Sequence, residues 1–95
     1  MQYNIKNNCM DVFFEEKLDY KTIPEIKKNL SKNLKKTEIT SLVFDLNKVN
    51  YMDTSGLSFF IFFSERYKVD IVNVSGELKY IFDLNKKNKY NIFLK

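Results

Sequence analysis

The chain has 95 residues, 44% of them hydrophobic, and a net charge of +4. That suits one core and is too short for two, so residues 1–95 are expected to form a single domain without staples. The sequence has no His and one Cys, Cys9, which removes an internal disulfide, the commonest general base and the commonest metal ligand.

The positive charge is almost all Lys; Arg66 is the sole Arg. Proteins that read nucleic acid rely on Arg for base edges and phosphate forks. A solvated Lys surface is therefore expected, with no nucleic-acid partner. The N-terminus, Met1-Gln-Tyr-Asn-Ile-Lys6, lacks the basic and apolar regions of a signal peptide. The longest near-apolar run, Leu57 to Phe63, falls far short of the ~20 residues a membrane helix needs. No membrane insertion is expected, and the reduced Cys9 fits a cytoplasmic protein.

In chain order, Tyr3–Lys6 and Met10–Phe14 read as strands joined by a turn at Asn7-Asn8. Thr22, with Glu25 three residues on, has the form of a capping box, and Pro24 is tolerated in a first turn. Ile23, Ile26, Leu30 and Leu34 recur at helical spacing, so the first helix is predicted to run to about Lys36. Ile39–Leu46 is nearly continuously apolar, the pattern of a strand covered on both faces. A polar break at Asp53-Thr54-Ser55-Gly56 separates it from the second apolar run. The second helix is predicted from Ser55 to about Arg66. Val69–Val74 is a further buried-type strand. Ser75 can cap a third helix facing inward with Leu78, Ile81 and Phe82. Asn91–Leu94 reads as a last short strand. Strands alternating with helices imply an α/β fold with right-handed crossovers and a mostly parallel sheet.

The polar break is the candidate site. A helix start offers free N–H groups and a positive dipole end. Hydroxyls there, Thr54 and Ser55, either cap the helix or accept a phosphoryl group. Asp45 and Asp53 flank the break. They are expected to orient the turn through hydrogen bonds, with Asp53 able to cap, rather than to hold a metal or perform acid–base chemistry. Gly56 and Gly76 are isolated, so no glycine-rich phosphate cradle exists and no cofactor is expected. Cys9 has no imidazole partner, and no catalytic residue is assigned.

The second helix raises a further question. Leu57, Phe59, Phe60, Ile61, Phe62 and Phe63 surround it with apolar side chains. A helix on one side of a sheet buries one stripe, so some rings are expected at the surface as a partner patch. The alternative is that the third helix and the chain ends cover them.

Three ordered segments resemble the STAS domain of bacterial anti-sigma factor antagonists. They are Asp45-Leu46, Val49 and Met52-Asp53-Thr54-Ser55-Gly56-Leu57; Leu18-Asp19-Tyr20-Lys21-Thr22-Ile23-Pro24; and Val74 to Leu84. The resemblance implies a mixed sheet with its helices packed on one side. It implies Ser55, the hydroxyl before Gly56, as phospho-acceptor, with Thr54 next in line. Gly56 would give backbone freedom and leave room for a kinase. Partner contacts would come from Leu57, Phe59, Phe62 and Phe63, together with Asp19, Tyr20 and Thr22. The implied partners are an anti-sigma factor that is also a serine kinase, supplying ATP and Mg²⁺, and a serine phosphatase that resets the switch. Set against the family pattern, the chain departs at Glu16 and in the short link Arg66–Asp70, and the family's final helix is expected to be missing. A second expectation of a different kind is a constitutive STAS subunit of a lipid-transport or signalling complex. A small enzyme or ligand-binding domain would need a deep polar pocket.

Overall fold

A computed structural model describes residues 1–15, 17–83 and 92–95. Two strands, β1 (Gln2–Lys6) and β2 (Cys9–Phe13), pair antiparallel with Lys6 opposite Cys9. Asn7 in the turn adopts a left-handed backbone, φ 57°, which a two-residue hairpin demands and an Asn tolerates. Every later strand joins in parallel: β3 (Ser41–Asp45) beside β2, β4 (Lys68–Val72) beside β3, and β5 (Ile92–Leu94) beside β4. Helices α1 (Ile23–Leu34), α2 (Thr54–Ser64) and α3 (Gly76–Asp83) occupy the crossovers. The result is a mixed, mostly parallel five-stranded sheet in the order β1-β2-β3-β4-β5.

Register explains which face is covered. Met10, Leu42 and Val69 align across the sheet, as do Val12, Phe44 and Ile71, and all six are fully buried. They meet the inward faces of the helices, among them Ile26 and Leu30 of α1, Phe59, Phe60 and Phe63 of α2, and Leu78 and Phe82 of α3. The intervening row, Asp11, Val43 and Asp70, is only half-buried. β3 and β4 are therefore covered on one face, not two as their apolar runs suggested. Val43 and Val72 lie on the open side, where neighbouring strands shield them in part.

α2 is the hub of the core. The Phe44 ring from β3 stands 5.6 Å from Phe59, 5.0 Å from Phe60 and 6.4 Å from Phe63. Phe59 also meets Phe14 at 6.0 Å, and Phe60 meets Phe82 of α3 at 5.8 Å. With α1, α3 and the sheet around it, α2 buries three sides rather than one stripe. This corrects the expectation of an exposed patch for Leu57, Phe59 and Phe63, which are 9%, 2% and 2% exposed and pack into the core. Of the apolar residues around α2, Phe62 and Ile61 remain half-buried.

Element ends also differ from expectation for physical reasons. α1 stops at Leu34, with Lys35 and Lys36 in a following turn. β4 stops at Val72 because Asn73 turns left-handed, φ 58°. Ser75 does cap α3, accepting from the Leu78 N–H at 3.3 Å. Glu16, Leu84 and Asn91 lie outside the described residues.

Candidate functional site

The site forms at the carboxyl ends of the parallel strands, where ligands of open α/β sheets gather. β3 ends at Asp45, whose Oδ1 accepts the Asn47 N–H at 2.9 Å. The Asn73 amide donates to both Asp45 oxygens, at 3.2 and 3.1 Å. Asp45 thus clamps the exits of β3 and β4 together. Asn73 escaped the sequence reading, although an Asn just after an apolar strand run is a sign of a left-handed turn.

From β3 the chain runs to Tyr51 and Met52, which lie beside Leu18 in a short parallel bridge. The Leu18 N–H donates to the Tyr51 carbonyl at 3.1 Å, and the Asp53 N–H to the Leu18 carbonyl at 3.2 Å. Asp53 then does two jobs. Its Oδ1 accepts the Ser55 N–H at 2.8 Å and caps α2, while its Oδ2 accepts the Tyr20 N–H at 3.1 Å. One carboxylate ties the start of α2 to the loop before α1.

That loop is held by its own polar residues. Asp19 Oδ1 accepts from the Lys21 and Thr22 N–H groups at 2.9 and 3.1 Å. The Thr22 hydroxyl accepts the Asp19 N–H at 3.1 Å and donates to the Lys17 carbonyl at 2.6 Å. The expected capping box is therefore absent: Thr22 occupies the cap position but its side chain turns back to Lys17 and Asp19 instead of reaching into α1. The Thr22 N–H holds the Asp19 carboxyl below its ordinary value of 3.8. Desolvation opposes that, while the Lys21 N–H, the Thr22 side chain and the Lys17 charge add to it.

Gly56 plays a different part from the expected one. Its φ is not left-handed, and the residue is buried. A Cβ here would overlap the Met52 side chain and come within 3.0 Å of the Leu18 carbonyl oxygen. Gly56 lets α2 press against the 18–52 bridge.

With Asp53 as the cap, the hydroxyls at the first turn are released from that duty. Thr54 is exposed and Ser55 half-exposed, and neither hydroxyl makes a hydrogen bond among the described residues. Both face a groove of about 270 Å³ with Ser58 and Phe59 of α2 and Ile23 and Lys27 of α1. Tyr20 and Tyr51 stand exposed nearby on the two bridged segments. The structure thus gathers Asp19, Tyr20, Thr22, Asp53, Thr54, Ser55 and Gly56 at one place. Asp45 sits on the neighbouring strand exit, and Leu57, Phe59 and Phe63 point into the core. Lys27, Ser58 and Tyr51 were missed. Lys27 lies one turn past Ile23 and Ser58 one turn past Ser55, spacings that carry meaning only once the two helices are known to be neighbours.

Among the described residues no helix is long and apolar enough to cross a membrane. Similar folds occur in solved structures. The putative anti-sigma factor antagonist tm1081 from Thermotoga maritima matches with a TM-score of 0.83 at 15% identity, over 97% of this chain and 84% of that one. The anti-sigma factor antagonist SpoIIAA in its unphosphorylated form matches at 0.74 and 13% identity, over 99% and 86%. The Bacillus cell fate determinant SpoIIAA in its phosphorylated form matches at 0.73 and 13%, over 99% and 89%. At such identities the likeness is one of fold. The sequence itself goes further, since residues 1–94 match the model of the STAS domain. Sheet order, the strand–turn–helix at Asp53 and that match agree, and the chain belongs to the STAS domain family.

Proposed function

We propose that this domain is a cytoplasmic anti-sigma factor antagonist, a binding module without catalysis of its own that is switched by phosphorylation of Ser55. Unphosphorylated, it sequesters an anti-sigma factor that is also a serine kinase, and so frees a sigma factor. The observation that supports this reading is the free Ser55 hydroxyl: partly exposed, in the first turn of α2, and spared capping by Asp53. SpoIIAA, a protein of the same fold, has been solved in unphosphorylated and phosphorylated forms.

The chemistry is consistent with a switch. A phosphate at Ser55 adds about −1.5 to −2 charge. The helix start and Lys27 across the groove tolerate it, while the Asp53 carboxylate opposes it. The domain itself is expected to survive the change, and a partner docked on this surface would meet a new charge. Moving a partner from almost fully bound to almost fully free takes about 5.5 kcal/mol of differential affinity. A serine phosphatase would reverse the step.

Intact mass after incubation with ATP, Mg²⁺ and a candidate anti-sigma kinase tests the proposal. One added phosphate is expected on the wild type and none on Ser55→Ala. A phosphate that persists in Ser55→Ala moves the acceptor to Thr54. A wild type that takes none from any candidate kinase, yet co-purifies with a partner regardless of Ser55, is instead a constitutive STAS subunit.

A further inference from the structure

Phe62 is the α2 phenylalanine that the core does not take, and two cations hold its ring. Lys27 Nζ of α1 lies 3.9 Å from the ring centroid and Arg66 Cζ lies 5.4 Å from it. Neither cation has a carboxylate partner among the described residues. On the far side of Phe62, a small cavity of about 60 Å³ is lined by Leu34 of α1, by Lys35 just after it, and by Phe63, Arg66 and Tyr67. On the near side begins the groove that holds Lys27, Ser55 and Ser58. The two hollows therefore lie on one seam between α1 and α2. Ser55, Ser58 and Phe62 follow one another at helical spacing along α2, with Arg66 in the turn after it, and Ile23, Lys27 and Ser31 do so along α1, with Lys35 in the turn after it. At about 1.5 Å per residue the first stripe spans about 16 Å and the second about 18 Å.

Around Phe62 the seam is basic, and the Asp53 carboxylate stands only at its Ser55 end. Lys27, Lys35 and Arg66 rim it, and neither stripe contains an acid. A cation lying on an aromatic face, with its remaining donors unpaired, still has donors free to meet a carboxylate. We propose that the α1–α2 seam docks an acidic, apolar-edged segment of a protein partner, with carboxylates on Lys27 and Arg66 and an apolar side chain against Phe62. The proposal rests on the antagonist reading for the partner being a protein. It adds a reason why phosphorylation would release that partner. A phosphate on Ser55 enters the groove that Lys27 lines, and competes for the cation the partner uses.

The test titrates the full ¹⁵N-labelled chain with an end-blocked, 14-residue amphipathic peptide carrying Leu on one face and Glu on the other. Its twin with Lys in place of Glu is the control. The acidic peptide should shift amides of residues 27–35 and 58–66, weakening as salt rises. Lys27→Glu with Arg66→Glu should weaken it by about tenfold or more, with thermal unfolding showing that the fold persists. Lys27→Gln and Arg66→Gln serve if the double reversal unfolds. The proposal is overturned by no shifts on the seam, by equal binding of the lysine peptide, or by unchanged affinity in the folded variants. It is equally overturned if phosphatidylserine vesicles bind through Lys27 and Arg66 and the peptide does not. A wild type that accepts phosphate at Ser55 but ignores the peptide loses the seam and keeps the switch. Equal peptide binding in Ser55→Asp loses the switch, while the Lys27 and Arg66 variants still carry the seam.

Discussion

α1 and α2 both begin at the site, but they are anchored differently. Among the described residues, every hydrogen bond of the Asp19 and Thr22 side chains stays within residues 17–22. The Asp53 carboxylate spans the fold, accepting from its neighbour Ser55 and from Tyr20, which is 33 positions from Asp53. The side chains of the α1 entrance make a local turn, and its longer ties come from the 51–53 segment. The α2 entrance is complete only when two distant segments have met. A cluster of Asp, Thr and Ser therefore marks where a helix starts without saying which side chain caps it, because such residues bond to whichever backbone group is near.

If the α2 anchor is the one that crosses the fold, Asp53→Ala should do the most damage. It removes a cap, about 1 kcal/mol, and a charge-assisted bond to the Tyr20 N–H, about 1.5–3 kcal/mol at most. Denaturant unfolding should show a loss of roughly 2–3 kcal/mol, and amide exchange should quicken at residues 18–20 as well as at the start of α2. Exchange that quickens only in α2 would mean that the tether to Tyr20 holds nothing.

Gly56→Ala comes next. The new Cβ would push on Met52 and the Leu18 carbonyl, an overpacking worth about 1–3 kcal/mol. Better helix propensity returns up to about 1 kcal/mol. A net loss of about 1–2 kcal/mol is expected by thermal or chemical unfolding. A stabilised variant would show that the 18–52 bridge can yield.

The local anchor should matter less. Thr22→Val keeps the shape and removes the bonds to Lys17 and Asp19, with an expected loss of about 1 kcal/mol. Acid should act on the same turn. The folded Asp19 carboxyl titrates below 3.8, so its contribution is full above that pH and fades as pH falls through the lower, folded value. In Asp19→Asn that acid-side loss should disappear. A wild type and variant that lose stability in parallel as pH falls below 3.8 would remove Asp19 from the account.

Much of this was legible in the chain. The order of elements followed from two apolar periods and the breaks between them. The polar interval at 53–56 pointed to the site because few other residues could explain it. What stayed hidden depends on distance in space. Leu57, Phe59 and Phe63 read as surplus apolar surface because no local pattern says that α3 brings Phe82 to Phe60. Val43 and Ile71 look alike in sequence, yet one lies on the open face and the other in the core. Lys27 became part of the site only when α1 lay beside α2. Gly56 read as freedom and proved to be a contact, since its neighbour Leu18 is 38 residues away in the chain.

The smallest expected change in stability carries the most about function. Ser55→Asp places a carboxylate in the first turn of α2, near a positive dipole end, which should stabilise by about 0.3–1 kcal/mol. Asp53, already charged and engaged at the same turn, should trim that gain towards zero. Thermal unfolding is therefore expected to be unchanged or slightly raised. Because the Ser55 hydroxyl makes no hydrogen bond among the described residues, nothing is lost in its replacement. The surface outside the helix should respond differently, since a charge buried against a partner needs a counter-charge there. Calorimetry with an anti-sigma kinase that binds the wild type should show weaker binding by Ser55→Asp. A variant that unfolds earlier would mean that Ser55 supports the α2 entrance after all, on the side of Asp53. A variant as stable as the wild type and equally well bound would leave Ser55 an idle hydroxyl.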